Sequence, residues 1–266
     1  MKKIALPFGL PFLRSIDIPR KLGVMERLYG ASLASHGVCW VSCANGVTWK
    51  LDLADPCHRW IVYGDYEGSA QMNWIRHWLK DGGGVIDSGA NIGQMCQYFA
   101  QVSSVRVLCF EPLPEAHDWL QECLAEYPSW NVKLYPFGLS DRSNVITVQT
   151  WGARTTARSD WYQGKNHPQI DIEVFALDDV ARDANLDSIR LWKLDVEGYE
   201  TFALRGAHEL LASKRIDAIL IEVSTDDSIP YLIDIGYELF RIGSGSVLQP
   251  LSDIDARGNL IALPGK

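Results

Sequence analysis

The segment that most constrains the fold of this chain is Val85-Ile86-Asp87-Ser88-Gly89-Ala90-Asn91-Ile92-Gly93. A short apolar run ends on a carboxylate, small residues turn the chain, and Ile92, Met95, Cys96, Phe99 and Ala100 follow at the spacing of one helix face. Strand, tight turn and helix in that order open a βα unit. Gly89 and Ala90 let backbone approach a ligand closely, and Gly93 lets the helix pack near the strand.

The rhythm repeats. The sequence predicts a strand over 105–110 and a helix carrying Ala116, Trp119, Leu120, Cys123, Leu124 and Tyr127, with Pro114 in its first turn. A strand over 132–137 follows. After an interruption, a strand over 189–194, a helix over 200–213 and a strand over 218–223 resume the alternation. Strands alternating with helices imply an α/β fold with a doubly wound, mostly parallel sheet. In the interruption, Ile170, Ile172, Val174 and Ala176 alternate with polar neighbours; with 145–149 they predict a β-hairpin inserted at 143–176. Stretches 237–242, 247–251 and 259–263 read as closing strands. Residues 1–80 differ in character: half of the ten tryptophans lie there, with short strands expected at 38–42 and 47–51 and a helix at 69–80. They read as an aromatic-rich N-terminal cap, and residues 81–266 as the main domain.

Charge and cysteine usage narrow the function. Lys and Arg number 25 against 33 Asp and Glu, a formal net charge of −8, which offers no footprint for a phosphate backbone and argues against nucleic acid. Six scattered cysteines suggest a reducing compartment, hence a cytoplasmic protein. Lys2 and Lys3 before the apolar stretch 4–13 superficially suggest a signal peptide. Pro7 and Pro11 interrupt it, Arg14 and Asp17 follow, and there is no small-residue cleavage site. No run reaches the ~18–20 apolar residues of a membrane span, so no membrane partner is expected.

The turn after the first strand carries the chemistry. A dinucleotide site has G-x-G-x-x-G there, so that the helix N-terminus takes a pyrophosphate. This turn has only G-x-x-x-G, and Asp87 in front of it repels phosphate but suits a cation. S-adenosylmethionine, with a sulfonium, an ammonium and no phosphate, fits better than a nicotinamide cofactor. Glu111 ends the next strand, where an acid typically takes ribose hydroxyls, and Pro112 holds it extended. After the strand at 189–194, Asp195 and Glu197 are two apart, and Glu222 near the end of the adjacent strand brings a third carboxylate. Such a cluster suits a general base, a substrate anchor or a divalent cation; Glu197 and Glu200 equally suit the N-terminus of the next helix. His167, in the loop 151–168 with Arg154, Arg158 and Lys165, is a further candidate base, and that loop's positive cluster a candidate acceptor contact. Cys39, Cys43, Cys57 and His58 fit no tight zinc pattern, and no residue is assigned to a metal.

Val-Ile-Asp-Ser-Gly-Ala-Asn-Ile-Gly (85–93), Cys-Phe-Glu-Pro-Leu-Pro (109–114), Phe-Gly-Leu-Ser-Asp (137–141), Leu-Asp-Asp-Val (177–180), Leu-Trp-Lys-Leu-Asp-Val-Glu-Gly-Tyr-Glu (191–200), Leu-Arg-Gly-Ala (204–207) and Ile-Glu-Val (221–223) together resemble the FkbM-type methyltransferases. The resemblance covers roughly residues 60–242 and implies the class I S-adenosylmethionine-dependent fold: a seven-stranded Rossmann-like sheet with an antiparallel closing strand. It implies S-adenosylmethionine as cofactor, with Asp87, Gly89, Ala90, Asn91 and Gly93 around its methionine end, Glu111 and Pro112 at the ribose, and Ser140 and Asp141 at the adenine. It also implies Asp195 beside the cofactor, and Glu67 of Tyr66-Glu67 closing over it. The implied reaction is methylation of a hydroxyl on a sugar or secondary metabolite. Nitrogen methylation on a peptide or natural product is the alternative, and a non-catalytic binding module the further one. The partner is then a small-molecule or peptide methyl acceptor.

Overall fold

The computed structural model describes residues 2–16, 18, 20–151, 154–156, 168–223, 227–251 and 258–265. The chain divides into two compact units, Met1–Ile75 and Arg76–Lys266.

The first unit holds helices α1 (Leu10–Arg14), α2 (Lys21–Ala34) and α3 (Pro56–Tyr63), and an antiparallel pair, β1 (Val38–Ser42) and β2 (Thr48–Asp52). Helix α4 (Ala70–Trp78) leads out of it. Asp55 caps α3, accepting from the Cys57 N–H at 2.7 Å, and Pro56 fills the first helical position. Its three helices were not legible in the sequence, which showed weak periodicity there. The buried knot explains their order: Arg59 of α3 pairs with Glu26 of α2, donates to the Leu53 and Ala54 carbonyls, and Tyr63 donates to the same carboxylate at 3.1 Å.

The second unit is built on an eight-stranded sheet. In chain order its strands are β3 (Gly83–Ser88), β4 (Val105–Phe110), β5 (Val132–Tyr135), β10 (Leu191–Leu194), β11 (Ile219–Val223), β12 (Tyr237–Ile242), β13 (Leu248–Pro250) and β14 (Gly258–Pro264). Across the sheet the order is β13-β12-β14-β11-β10-β3-β4-β5. The strands from β11 to β5 are parallel, and β14 runs antiparallel between β11 and β12. The sheet thus has the expected doubly wound form and antiparallel closing strand, with β13 as an eighth strand at the edge. From β3 the chain winds first toward β5, then returns to the other side at β10. The switch point lies between β3 and β10, where ligands enter such sheets at the carboxyl ends of the strands.

The insertion is more than a hairpin. β6 (Gly138–Leu139), β7 (Asn144–Trp151), β8 (Arg154–Thr156) and β9 (Gln169–Phe175) form a separate four-stranded sheet, order β6-β9-β7-β8. Its own small core of Val148, Ile172 and Val174 explains the strict alternation seen in the sequence. The helices of this unit are α5 (Cys96–Phe99), α6 (Pro114–Ala125), α7 (Leu177–Asp183), α8 (Glu200–Arg205), α9 (His208–Ala212) and α10 (Ser228–Asp234). The core places Ile86, Leu108, Phe110, Trp192, Leu194, Leu204, Leu210, Ile219 and Ile221 fully or almost fully out of water.

Two helices depart from expectation. The apolar face from Ile92 contracts to a four-residue α5, because the turn itself occupies residues up to Met95. The single helix expected over 200–213 is two, α8 and α9, broken at Gly206 and Ala207. A Cβ on Gly206 would stand 1.9 Å from the Ser140 carbonyl oxygen, so the chain presses there against the end of β6. Asp178 then caps the restart, accepting from the N–H groups of Glu209 and Leu210 at 2.8 and 3.0 Å.

Candidate functional site

The glycine turn is held by backbone on both sides. Gly89 and Ala90 both donate their N–H to the Phe110 carbonyl at 3.0 Å, bending the chain over the end of β4. Gly89 has φ of 72°, and a Cβ there would lie 2.0 Å from the Asp195 carbonyl oxygen; only glycine fits. The turn from β3 and the loop after β10 are therefore in direct contact, which brings Asp87 and Asp195 to one place.

Asp87 is fully buried on β3, directly opposite Lys193 of β10. Neither of its carboxylate oxygens, nor the side-chain oxygen of Asn91, has a hydrogen-bond partner among the described residues. Burial pushes the Asp87 pKa up, the Lys193 charge opposes this, and Asp195 adds to the rise. Lys193 is itself almost buried. Its Nζ donates to the carbonyls of Ser88 (3.2 Å) and Gly89 (3.0 Å) and sits 3.2 Å from Asp195 Oδ2 and 3.6 Å from Asp87 Oδ1. One cation thus ties both acids to the turn. Within the motif 191–200, sequence alone assigns Lys193 no role. The available signal was a charge inside the buried run Leu191-Trp-Lys-Leu194, which a parallel central strand tolerates only when it is used.

Glu111 is 5% exposed, and each of its oxygens already accepts a backbone N–H: Asn91 at 2.8 Å and Leu113 at 2.9 Å. Its first task is to tie the glycine turn to the end of β4, and each oxygen keeps a second lone pair for a ligand hydroxyl. Burial, partly offset by those two N–H bonds, raises its pKa to about 7. Pro112 follows it in the extended backbone before α6. Gly93 closes the turn, donating to Ala90 at 2.8 Å.

Ser140 is buried at the end of β6 and donates to Asp141 Oδ1 at 3.2 Å. Asp141 acts on Tyr199, whose hydroxyl pKa is raised by burial first and by that negative charge second. In the loop after β10, Glu197 adopts a left-handed φ of 50° and is half-buried. Glu200 braces this loop: it is buried, and its Oε1 accepts from the N–H groups of Gly198 (3.0 Å) and Val196 (3.4 Å). Glu222 stands on β11 one residue past the partner of Leu194. Its residue surface is largely open, yet the surroundings of the carboxyl desolvate it and raise its pKa, and Asp195 contributes next. Asp195, Glu197 and Glu222 thus share the carboxyl edge of β10 and β11. Glu67 lies in the first unit, in the turn before α4. His167, with Arg158 and Lys165, falls outside the described residues, as does the Arg154 side chain.

A doubly wound sheet with this strand order, an antiparallel strand next to the last and an acid-ended first strand leading into a glycine turn defines a class I methyltransferase domain. The chain belongs to the FkbM methyltransferase domain family, whose profile matches residues 87–239. Among curated relatives, the 2-O-methyltransferase NoeI of Sinorhizobium fredii is 29% identical, over 49% of this chain and 60% of that protein. The methyltransferase sdnD of Sordaria araneosa is also 29% identical, over 47% of this chain and 60% of that one. The match thus spans about three-fifths of the length of these relatives. Solved structures with a related fold include an rRNA methylase from Streptococcus thermophilus, 16% identical with TM-score 0.42, covering 74% of this chain and 95% of that one. Another is an S-adenosylmethionine-dependent O-methyltransferase from Thermotoga maritima, 12% identical with TM-score 0.39, covering 76% and 66%. Likeness at that level carries no argument about substrate.

The family's methyl donor is S-adenosylmethionine, and the residues present fit it. The Asp87 carboxylate and the Asn91 side-chain oxygen only accept and make no hydrogen bond among the described residues, which suits an ammonium group. A turn without room for a Cβ at Gly89 gives the close backbone such a ligand needs.

Proposed function

We propose that this chain transfers a methyl group from S-adenosylmethionine to a hydroxyl oxygen of a sugar or other polar metabolite. The observation that carries the reading is the fully buried Asp87 carboxylate beside the glycine turn, at the switch point of the sheet, with neither oxygen hydrogen-bonded among the described residues. The relative named a 2-O-methyltransferase favours oxygen over nitrogen as the acceptor atom.

Bound, the cofactor supplies an electrophilic methyl carbon on sulfur. Asp87 and Asn91 hold the ammonium, and Glu111 accepts from the ribose hydroxyls. Ser140 and Asp141 lie at the adenine side. The acceptor oxygen forms the new bond to the methyl carbon while the carbon–sulfur bond breaks, its electron pair remaining on sulfur. The acceptor's proton passes to a carboxylate at the edge of β10 and β11. Asp195 is first in line, being one contact from the Gly89 turn and ion-paired to Lys193. Glu222 and Glu197, on the same edge, are the substitutes for that role, and His167, outside the described residues, is a further candidate.

Transfer of labelled methyl from S-adenosylmethionine to panels of glycans, polyols and amines tests the reading. Asp87→Asn should weaken cofactor binding by ~10–100-fold, the worth of a lost charged hydrogen bond. Asp195→Asn should lower turnover by ~10²–10⁴-fold with nearly unchanged cofactor affinity. Full turnover in Asp195→Asn moves the base to Glu222 or Glu197. Methylation confined to amines would favour the nitrogen alternative.

A further inference from the structure

We propose that the first unit carries a docking surface for an anionic lipid bilayer, made by the segment around α1 and the outer face of α2. Four large apolar side chains stand out of this short stretch: Phe8 at 102% exposure, Phe12 at 69%, Leu28 at 59% and Val24 at 39%. They are presented, not frayed. Leu10 between the two phenylalanines is fully buried, and the Tyr29 hydroxyl of α2 donates to the Phe8 carbonyl at 3.3 Å, so the segment is tied down with its aromatic rings outward. On α2, Val24, Arg27, Leu28 and Ala31 make one exposed stripe, while Met25 and Leu33 face the interior.

Charge says what covers this surface. Residues 2–27 contain six cations against Asp17 and Glu26, in a chain whose net charge is −8; Arg14 is turned to the Ser42 and Val62 carbonyls, which leaves Lys2, Lys3, Arg20, Lys21 and Arg27 for the surface. Glu26 is bound to Arg59, so it does not offset them. Lys2 and Lys3 are exposed and anchored beside β1, where Ile4 and Trp40 exchange backbone hydrogen bonds with Trp40 and Lys2 at 3.0 Å. Apolar side chains flanked by Lys and Arg match the acyl boundary and headgroups of an anionic interface. A second copy of the same basic surface would meet it with like charge, which argues against self-association here. The expectation of no membrane partner rests on the lack of a span, and no helix among the described residues is long and apolar enough for one. Contact with one face of a bilayer needs none.

Sedimentation of the full chain with vesicles tests this, using phosphatidylcholine alone and phosphatidylcholine mixed with phosphatidylglycerol. The wild type should bind the mixed vesicles in preference, and added salt should release it. The double variant Phe8→Ser, Phe12→Ser should bind at least about tenfold more weakly, with unchanged circular dichroism, since both rings are already in water. Arg20→Glu with Lys21→Glu and Arg27→Glu should abolish the preference for anionic vesicles. No binding to either vesicle would overturn the proposal. So would a concentration-dependent dimer that Phe8→Ser, Phe12→Ser dissolves, which would give the surface to a second copy.

Discussion

Glu111 shows how one buried side chain ties two segments of the fold together. Its two oxygens hold the N–H groups of Asn91 and Leu113, and its burial raises the pKa to about 7. An acid raised in the folded state favours the protonated form, so its contribution to stability is full below about 4.5 and fades as pH rises through 7. On the proposed assignment, ribose hydroxyls donating to it would favour the ionised form, so cofactor binding would release a proton. Affinity measured by calorimetry should therefore strengthen as pH rises through about 7, and buffers of different ionisation enthalpy should reveal the released proton. Glu111→Gln should bind more weakly and lose this dependence; a variant that keeps the same pH profile would remove Glu111 from that role. Glu111 is visible in the sequence as an acid that ends a strand just before Pro112. Its two backbone bonds are not, because they depend on the glycine turn folding back over β4. Lys193 was hidden for the same kind of reason: only the register that sets it opposite Asp87 shows what it balances.

The elements were legible where burial leaves a period in the sequence. The strands from β3 to β11 announce themselves as apolar runs, and the inserted sheet by alternation. The break between α8 and α9 does not, since Ala203, Ala207, Leu210 and Leu211 keep helical spacing straight through it. What breaks the helix is a long-range contact, the Ser140 carbonyl against Gly206. Gly206→Ala is therefore expected to behave opposite to a usual helix substitution. In place of a gain, it should cost ~2–4 kcal/mol by overpacking the end of β6, seen as a lower midpoint in urea. A neutral or stabilising effect would mean that the contact yields easily. The helices α1 to α3 were missed because their buried positions are filled partly by glycine, arginine and tyrosine in place of an apolar stripe.

At the scale of the molecule, the two units rest on different kinds of core. The second is a broad apolar sheet core; the first centres on the Arg59–Glu26–Tyr63 knot. Removing one partner of a buried ion pair strands the other, at ~3–5 kcal/mol when burial is complete. Glu26 is about a third exposed, so Glu26→Gln should cost less than that. The loss should fall on the first unit: hydrogen exchange should accelerate in α2 and α3 while β3, β4 and β10 stay protected. Uniform acceleration across both units would show that they unfold as one.

Lys193, set among the acids of the site, has a consequence for the end of the catalytic cycle. Lys193 offsets one of the charges of Asp87 and Asp195 and leaves the rest to be met by whatever enters. S-adenosylmethionine brings one net positive charge; the spent thioether brings none. The site's attraction thus drops at the moment the methyl group leaves, and departure of the by-product is built into the electrostatics that welcomed the donor. Rising salt should then weaken binding of S-adenosylmethionine more steeply than binding of S-adenosylhomocysteine; parallel slopes for the two would refute this account of product release.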